Sequence, residues 1–223
     1  MSRSFRSVLL ALFFSGVAMV MQPLLAAGQG LPHGGATFQR KPITEVLALF
    51  EQENLAEQPK NLGGAMTISY VLSNTDGVPK ATVDSVLSGL EEMSLNGATQ
   101  RVRTAAASTL AFTGDTRRAN PLPGALDRSL RIYRRSHDPL VRATLLPVLP
   151  FYAEKDRVAA FLKTVATQSQ SEQDYPEAPA QAISALARMG ERGQAALRDL
   201  LQRRSVRHPG AEANLRHILQ QKH

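Results

Sequence analysis

From residue 43 onward, apolar side chains recur at helical rather than strand spacing. "ITEVLALFEQENLA" (43–56) is amphipathic with a period near 3.6. Val83, Val86, Leu87 and Leu90 share one face of 81–93. Leu126, Leu130 and Tyr133 do so in 125–136, and Val158, Phe161, Leu162 and Val165 in 156–166. "AALRDLLQRR" (195–204) continues the series, and 208–221 puts Leu215, Ile218 and Leu219 on one stripe. The apolar, β-branched stretch "AMTISYVLS" (65–73) is read as a short helix, because an isolated strand would leave its backbone donors unpaired.

Between these helices the chain repeats itself. "VRTAAASTLAFTGD" (102–115) and "APAQAISALARMGE" (178–191) align at a shift of 76, and 141–154 aligns with the first at a shift of 39, Val141 on Val102, Leu145 on Ala106 and Leu149 on Leu110. A period of 38 to 39 residues, with one apolar segment at i, i+4, i+8 spacing, is what two helices and their turns require.

Local signals fix where the second helices begin and end. Asp138 is a strong N-cap residue, and Pro139 at the first helical position sacrifices no hydrogen bond. Arg142, four residues on, is expected to reach that carboxylate or its equivalent on a neighbouring repeat. Pro147 and Pro150 predict a kink or early end near Leu146 to Leu149. Gly114 and Gly190 are expected to close their helices in the left-handed conformation.

The sequence resembles the HEAT-repeat family and its shorter bacterial HEAT-like relatives. The resemblance spans roughly Thr82 to Gln221 and rests on D-P-x-V-R in "DPLVR", on V-R-x-x-A-x-x-x-L-x-x-x-G-D in 102–115, and on the same frame in "ISALARMGE". The third copy departs from it at Pro179 and the second at Ala153. The resemblance implies an all-α fold, an α-solenoid of stacked antiparallel helix pairs whose second helices line a concave face. A helix pair cannot bury its apolar face alone, and stacking supplies the shared core.

The N-terminus changes the compartment. Arg3 and Arg6 precede the apolar run Val8 to Met21, and Gln22-Pro23 and the small residues Ala26, Ala27 and Gly28 follow it. Residues 1–28 are therefore read as a signal peptide, 29–41 as a flexible leader, 42–80 as an N-terminal helical cap and 81–223 as the repeats. The product is expected in the periplasm or secreted; an uncleaved leader would instead anchor it to the membrane. With no cysteine, disulfide staples, thiolate ligands and Cys nucleophiles are excluded.

Charge is distributed unevenly. Residues 29–99 hold four basic and eight acidic side chains, whereas 100–223 hold twenty and eleven. The interaction candidates are Arg103, Arg117, Arg118, Arg128, Arg131, Arg135 and Arg142, of which Arg128, Arg131 and Arg135 share a helix face. Such a cluster serves either as inter-repeat ion pairs or as a patch for an acidic partner.

Catalytic patterns are wanting. The five histidines form no H-E-x-x-H or helical i, i+4 pair, and no G-x-S-x-G, P-loop or G-x-G-x-x-G fingerprint occurs. No catalytic residue, cofactor or metal is expected. The reading is a non-enzymatic scaffold binding a protein or peptide, with an accessory lyase-like or chaperone-type HEAT-repeat protein as the alternative. Nucleic-acid binding ranks lower, because export would separate the chain from it and aromatics for stacking are few.

Overall fold

The computed structural model describes residues 42–56, 62–118, 120–168 and 176–221, so the expected signal segment and leader, 1–41, lie outside the described residues. Among those residues the fold is all-helical, with no strand. Helix α1 is Ile43–Leu55, α2 Gly63–Ser73, α3 Lys80–Asn96, α4 Gln100–Phe112, α5 Ala125–Arg135, α6 Pro139–Leu145, α7 Lys155–Thr167, α8 Ala178–Ala187, α9 Glu191–Gln202 and α10 Pro209–Gln220. Short 3-10 turns occupy Thr75–Gly77 and Leu149–Phe151. None of the described helices is long and apolar enough to cross a membrane.

Helix starts follow from side-chain acceptors placed where backbone amides lack partners. Thr99 accepts from the Val102 amide at 3.3 Å, Asp138 from that of Leu140 at 3.0 Å, and the His208 ring from that of Ala211 at 3.2 Å. At α2 the N-cap position holds Leu62, which has nothing to offer. Glu53 substitutes from α1, its two carboxylate oxygens accepting from the Gly64 and Ala65 amides at 2.7 and 2.9 Å. This confirms 65–73 as helical.

Consecutive helices pair: α1 with α2, α3 with α4, α5 with α6, α7 with α8 and α9 with α10. Neighbouring pairs then join like to like, with α3 meeting α1 and α5, α7 meeting α9, and α4, α6, α8 and α10 following one another in contact. The first pair departs from this register, since α1 also touches α4 while α2 lies against α3.

The three aligned segments occupy the same environment. Val102, Ala106 and Leu110 are buried, as are Val141, Leu145 and Leu149, and Ala178, Ala182 and Leu186. Each leucine in those positions contributes roughly 2 kcal/mol by leaving water. The register advances by 39 residues from Val102 to Val141 and by 37 from Val141 to Ala178. Helix α8 begins at its first buried position, Ala178, whereas α4 and α6 begin two residues ahead of theirs, and its N-cap residue is Glu177, which makes no side-chain cap bond.

The prolines act as anticipated: α6 stops at Leu145, and the chain continues through a turn into Leu149–Phe151. The glycine expectation needs correction. Gly114 has no positive φ; the α4 end is tightened instead by Thr113 and Gly114 amides donating to the Leu110 and Ala111 carbonyls at 3.0 and 3.2 Å. Its lack of a side chain matters because a Cβ would sit 2.6 Å from the Tyr152 ring. Gly190 has φ 65° but ψ −141°, outside the left-handed helical region, because it leads directly into α9. The left-handed glycine is Gly124, with φ 80° and ψ −3°, ahead of α5.

Tyr152 ties three elements together. Its buried hydroxyl donates to the Ala111 carbonyl of α4 at 2.6 Å and lies 2.9 Å from the Ser129 hydroxyl of α5. Burial pushes its phenol well above the ordinary value.

Candidate binding groove

Most of the arginine cluster is spent within the fold. On α5, Arg128 donates to Glu91 of α3 at 2.8 Å, and Arg131 holds the same carboxylate through two bonds of 2.8 and 2.9 Å. The Arg131 bonds first, then those of Arg128, outweigh partial burial and keep Glu91 below the usual carboxylate range. The same kind of link repeats along the first helices, Asp127 of α5 pairing with Arg157 of α7, and Lys163 and Asp156 of α7 with Asp199 and Arg192 of α9. In the 113–124 loop, Arg117 is bidentate on Asp115, with Nη2 at 2.6 Å, and its guanidinium lies 3.4 Å above the Phe151 ring.

Among the second helices the link is Asp138. Its Oδ2 accepts from Arg103 Nε and Nη2 at 3.0 and 2.7 Å, while Oδ1 accepts from the Leu140 amide and from Gln100 at 3.2 Å. Arg103 also donates to the Gly97 carbonyl at 2.9 Å. Burial alone would raise the Asp138 pKa, but Arg103, the Leu140 amide and Gln100 together bring it below the ordinary value. The inter-repeat ladder is therefore carried by Arg103 on the following pair's cap. Arg142 does not reach Asp138. With that carboxylate turned toward α4 and its own amide, Arg142 Nε donates to the Ser136 carbonyl at 2.8 Å and its guanidinium lies 5.9 Å from the Tyr133 ring centre.

This node forms the floor of an open groove between the α3–α4 and α5–α6 turns. Leu95, Asn96, Gly97, Gln100 and Arg103 form one side; Arg134, Arg135, His137, Asp138 and Pro139 form the other. Asp138 and Arg103 neutralise each other there. Arg134 and Arg135 are exposed and, among the described residues, engage no carboxylate, carbonyl or ring. The groove thus carries two guanidinium groups whose donors face solvent.

A second groove, between α7 and α9, is lined by Asp156, Lys163, Arg192, Asp199 and Arg203. All of those charges are already paired with one another. Lys163 first and then Arg203 hold Asp199 below its ordinary value. Every one of these cations is bonded to a carboxylate, although three cations against two carboxylates leave the groove one net positive charge.

Of the residues singled out in the sequence, Arg103 and Arg135 line the first groove and Arg128 and Arg131 converge on Glu91. Arg117, Arg118 and Arg142 lie outside the groove, Arg118 exposed on the 113–124 loop. The binding candidates taken from the sequence did not include Arg134, His137, Asn96 or Gln100. The signal that could have found them is the Arg134-Arg135 doublet directly ahead of a capping Asp-Pro, which puts both cations at a helix end. Among the described residues no three His, Asp or Glu side chains cluster as metal ligands. No family model, curated protein or solved structure matches this chain.

Proposed function

We propose that this chain is a non-catalytic, exported α-solenoid of HEAT-like repeats that binds an acidic segment of another protein in the groove between the α3–α4 and α5–α6 turns. Support for the solenoid comes from the like-to-like helix contacts and from the matched burial of 102/106/110, 141/145/149 and 178/182/186. The binding reading rests on one observation: the Arg134–Arg135 doublet keeps its donors unspent beside Gln100 and Asn96, while most of the cluster around it is internally paired.

Guanidinium groups recognise carboxylates bidentately. A partner presenting two or more adjacent Asp or Glu side chains fits that chemistry. The test is titration of a fluorescent Glu-rich peptide into the chain and into an Arg134→Glu, Arg135→Glu variant with unchanged helical content. Wild-type binding that weakens with salt and falls at least about tenfold in the variant is the expected result. Equal affinity for both proteins, or none for either, overturns the proposal.

A further inference from the structure

Among the described residues, the first hairpin has an outward face unlike that of the last helix. Helix α2 packs on α1 and α3 through Gly64, Thr67, Ile68, Val71 and Leu72. Its outward side carries Met66, 51% exposed, and Tyr70, 58% exposed, with Leu62 at its start, 41% exposed, and Leu55 nearby in sequence at the end of α1, 47% exposed. Spacing of i, i+4 and i+8 makes Leu62, Met66 and Tyr70 one stripe, and the other exposed side chains of the helix are Ser69 and Ser73. No charged residue occurs from Leu62 to Thr75.

The opposite end is built otherwise. Helix α10 turns Leu215 and Ala211 inward and exposes Ala213, Arg216, His217 and Gln220, with Arg216 bonded to Glu212 at 2.7 Å. Stacked helical repeats need a polar outer face at each terminus to stay soluble. Here α10 has one and α2 does not.

We infer that the Leu62–Met66–Tyr70 stripe of α2 is a self-association surface, covered by the same stripe of a second copy about a two-fold axis near Met66. Three observations select that occupant. A head-to-tail contact would require an apolar face on α10, which is absent, whereas an α2-to-α2 contact closes after two copies and leaves both outer ends polar. An anionic lipid surface is disfavoured because the charges that flank the stripe in sequence, Glu53, Glu57, Lys60, Asp76 and Lys80, are of mixed sign and form no basic collar. An uncharged stripe lets two copies of a chain with net charge +7 meet without opposing like charges at the contact. Antiparallel crossing at Met66 sets Leu62 of each copy over Tyr70 of the other and brings the Met66 side chains together.

Four half-exposed side chains per copy offer less area than a permanent dimer requires, so the pair forms at roughly 10 µM to 1 mM chain. The full chain, followed by sedimentation velocity over that range, is expected to move from 24.2 kDa toward twice that mass, and Tyr70→Lys to remain monomeric. Because the chain has no cysteine, Met66→Cys supplies a single crosslinking position. It should link two copies at least about tenfold faster than Ala213→Cys on α10, and adding Tyr70→Lys should abolish the difference. A monomer at every concentration, or equal crosslinking from positions 66 and 213, overturns the inference; neither result bears on the acidic-partner groove.

Discussion

Replacing Asp138 by Ala removes the α6 cap and the partner of Arg103 at once. The side chain is 7% exposed and accepts four hydrogen bonds, two from the guanidinium. Loss of an N-cap costs about 1 kcal/mol. The charge-assisted bonds of Arg103, whose side chain is 25% exposed, add about 2 kcal/mol, the lower part of the range for buried donors. A loss of about 3 kcal/mol lowers the melting temperature of a helical unit this size by about 6–12 °C. Thermal unfolding followed by far-UV circular dichroism at pH 7 measures it directly. The contribution also carries a pH signature. Because the folded carboxyl titrates below its unfolded value, the stabilisation is complete above about pH 4 and disappears as pH falls through the lower folded value. The gap between wild type and Asp138→Asn should therefore be widest at pH 7 and shrink below pH 4. A variant melting within about 2 °C of wild type at pH 7, or a gap that grows on acidification, refutes this account of the node.

In a double-mutant cycle, Arg103→Ala and Asp138→Ala should couple by about 1–2 kcal/mol in urea unfolding, whereas Arg142→Ala and Asp138→Ala should show less than about 0.5 kcal/mol. Glu91→Gln leaves Arg128 and Arg131 without their carboxylate and should lower stability by about 1–2 kcal/mol, an effect that diminishes in high salt. Tyr152→Phe deprives the Ala111 carbonyl and Ser129 hydroxyl of a buried partner, for a loss of about 1–2 kcal/mol by the same measurement. Gly114→Ala drives a methyl into the Tyr152 ring and should cost about 1–3 kcal/mol, with the Gly114→Ala, Tyr152→Phe pair non-additive.

Helix positions were readable because one period governs them: a stripe such as Val83, Val86, Leu87 and Leu90 has no other way to face a core. The α6 stop was equally readable, since Pro147 and Pro150 act through their own backbone. What escaped depends on distant partners. Nothing local distinguishes Arg103 from Arg142, as both follow Val in the same frame. The difference is that a capping Asp stands 35 residues after Arg103, facing it across a helix pair. The α2 cap was hidden for the same reason, because Glu53 reaches it from another helix. Gly114 resembled a left-handed terminator, yet the constraint there is the space taken by Tyr152. The groove became visible only once the paired arginines were subtracted, which requires coordinates.

The placement of Tyr152 also determines what light can report about this protein. The chain has no tryptophan and four tyrosines, of which Tyr70 faces solvent and Tyr175 lies outside the described residues. Tyr133 and Tyr152 are both buried, the first edge-on to Phe161 with ring centres 5.0 Å apart. Among the described tyrosines, the buried ones that give chiral near-ultraviolet absorption lie at the junction of α4, α5 and α7. An optical melt at 275–280 nm tracks the parting of those central repeats, while the peptide signal at 222 nm tracks every helix, and the two curves separate wherever the terminal hairpins come away first.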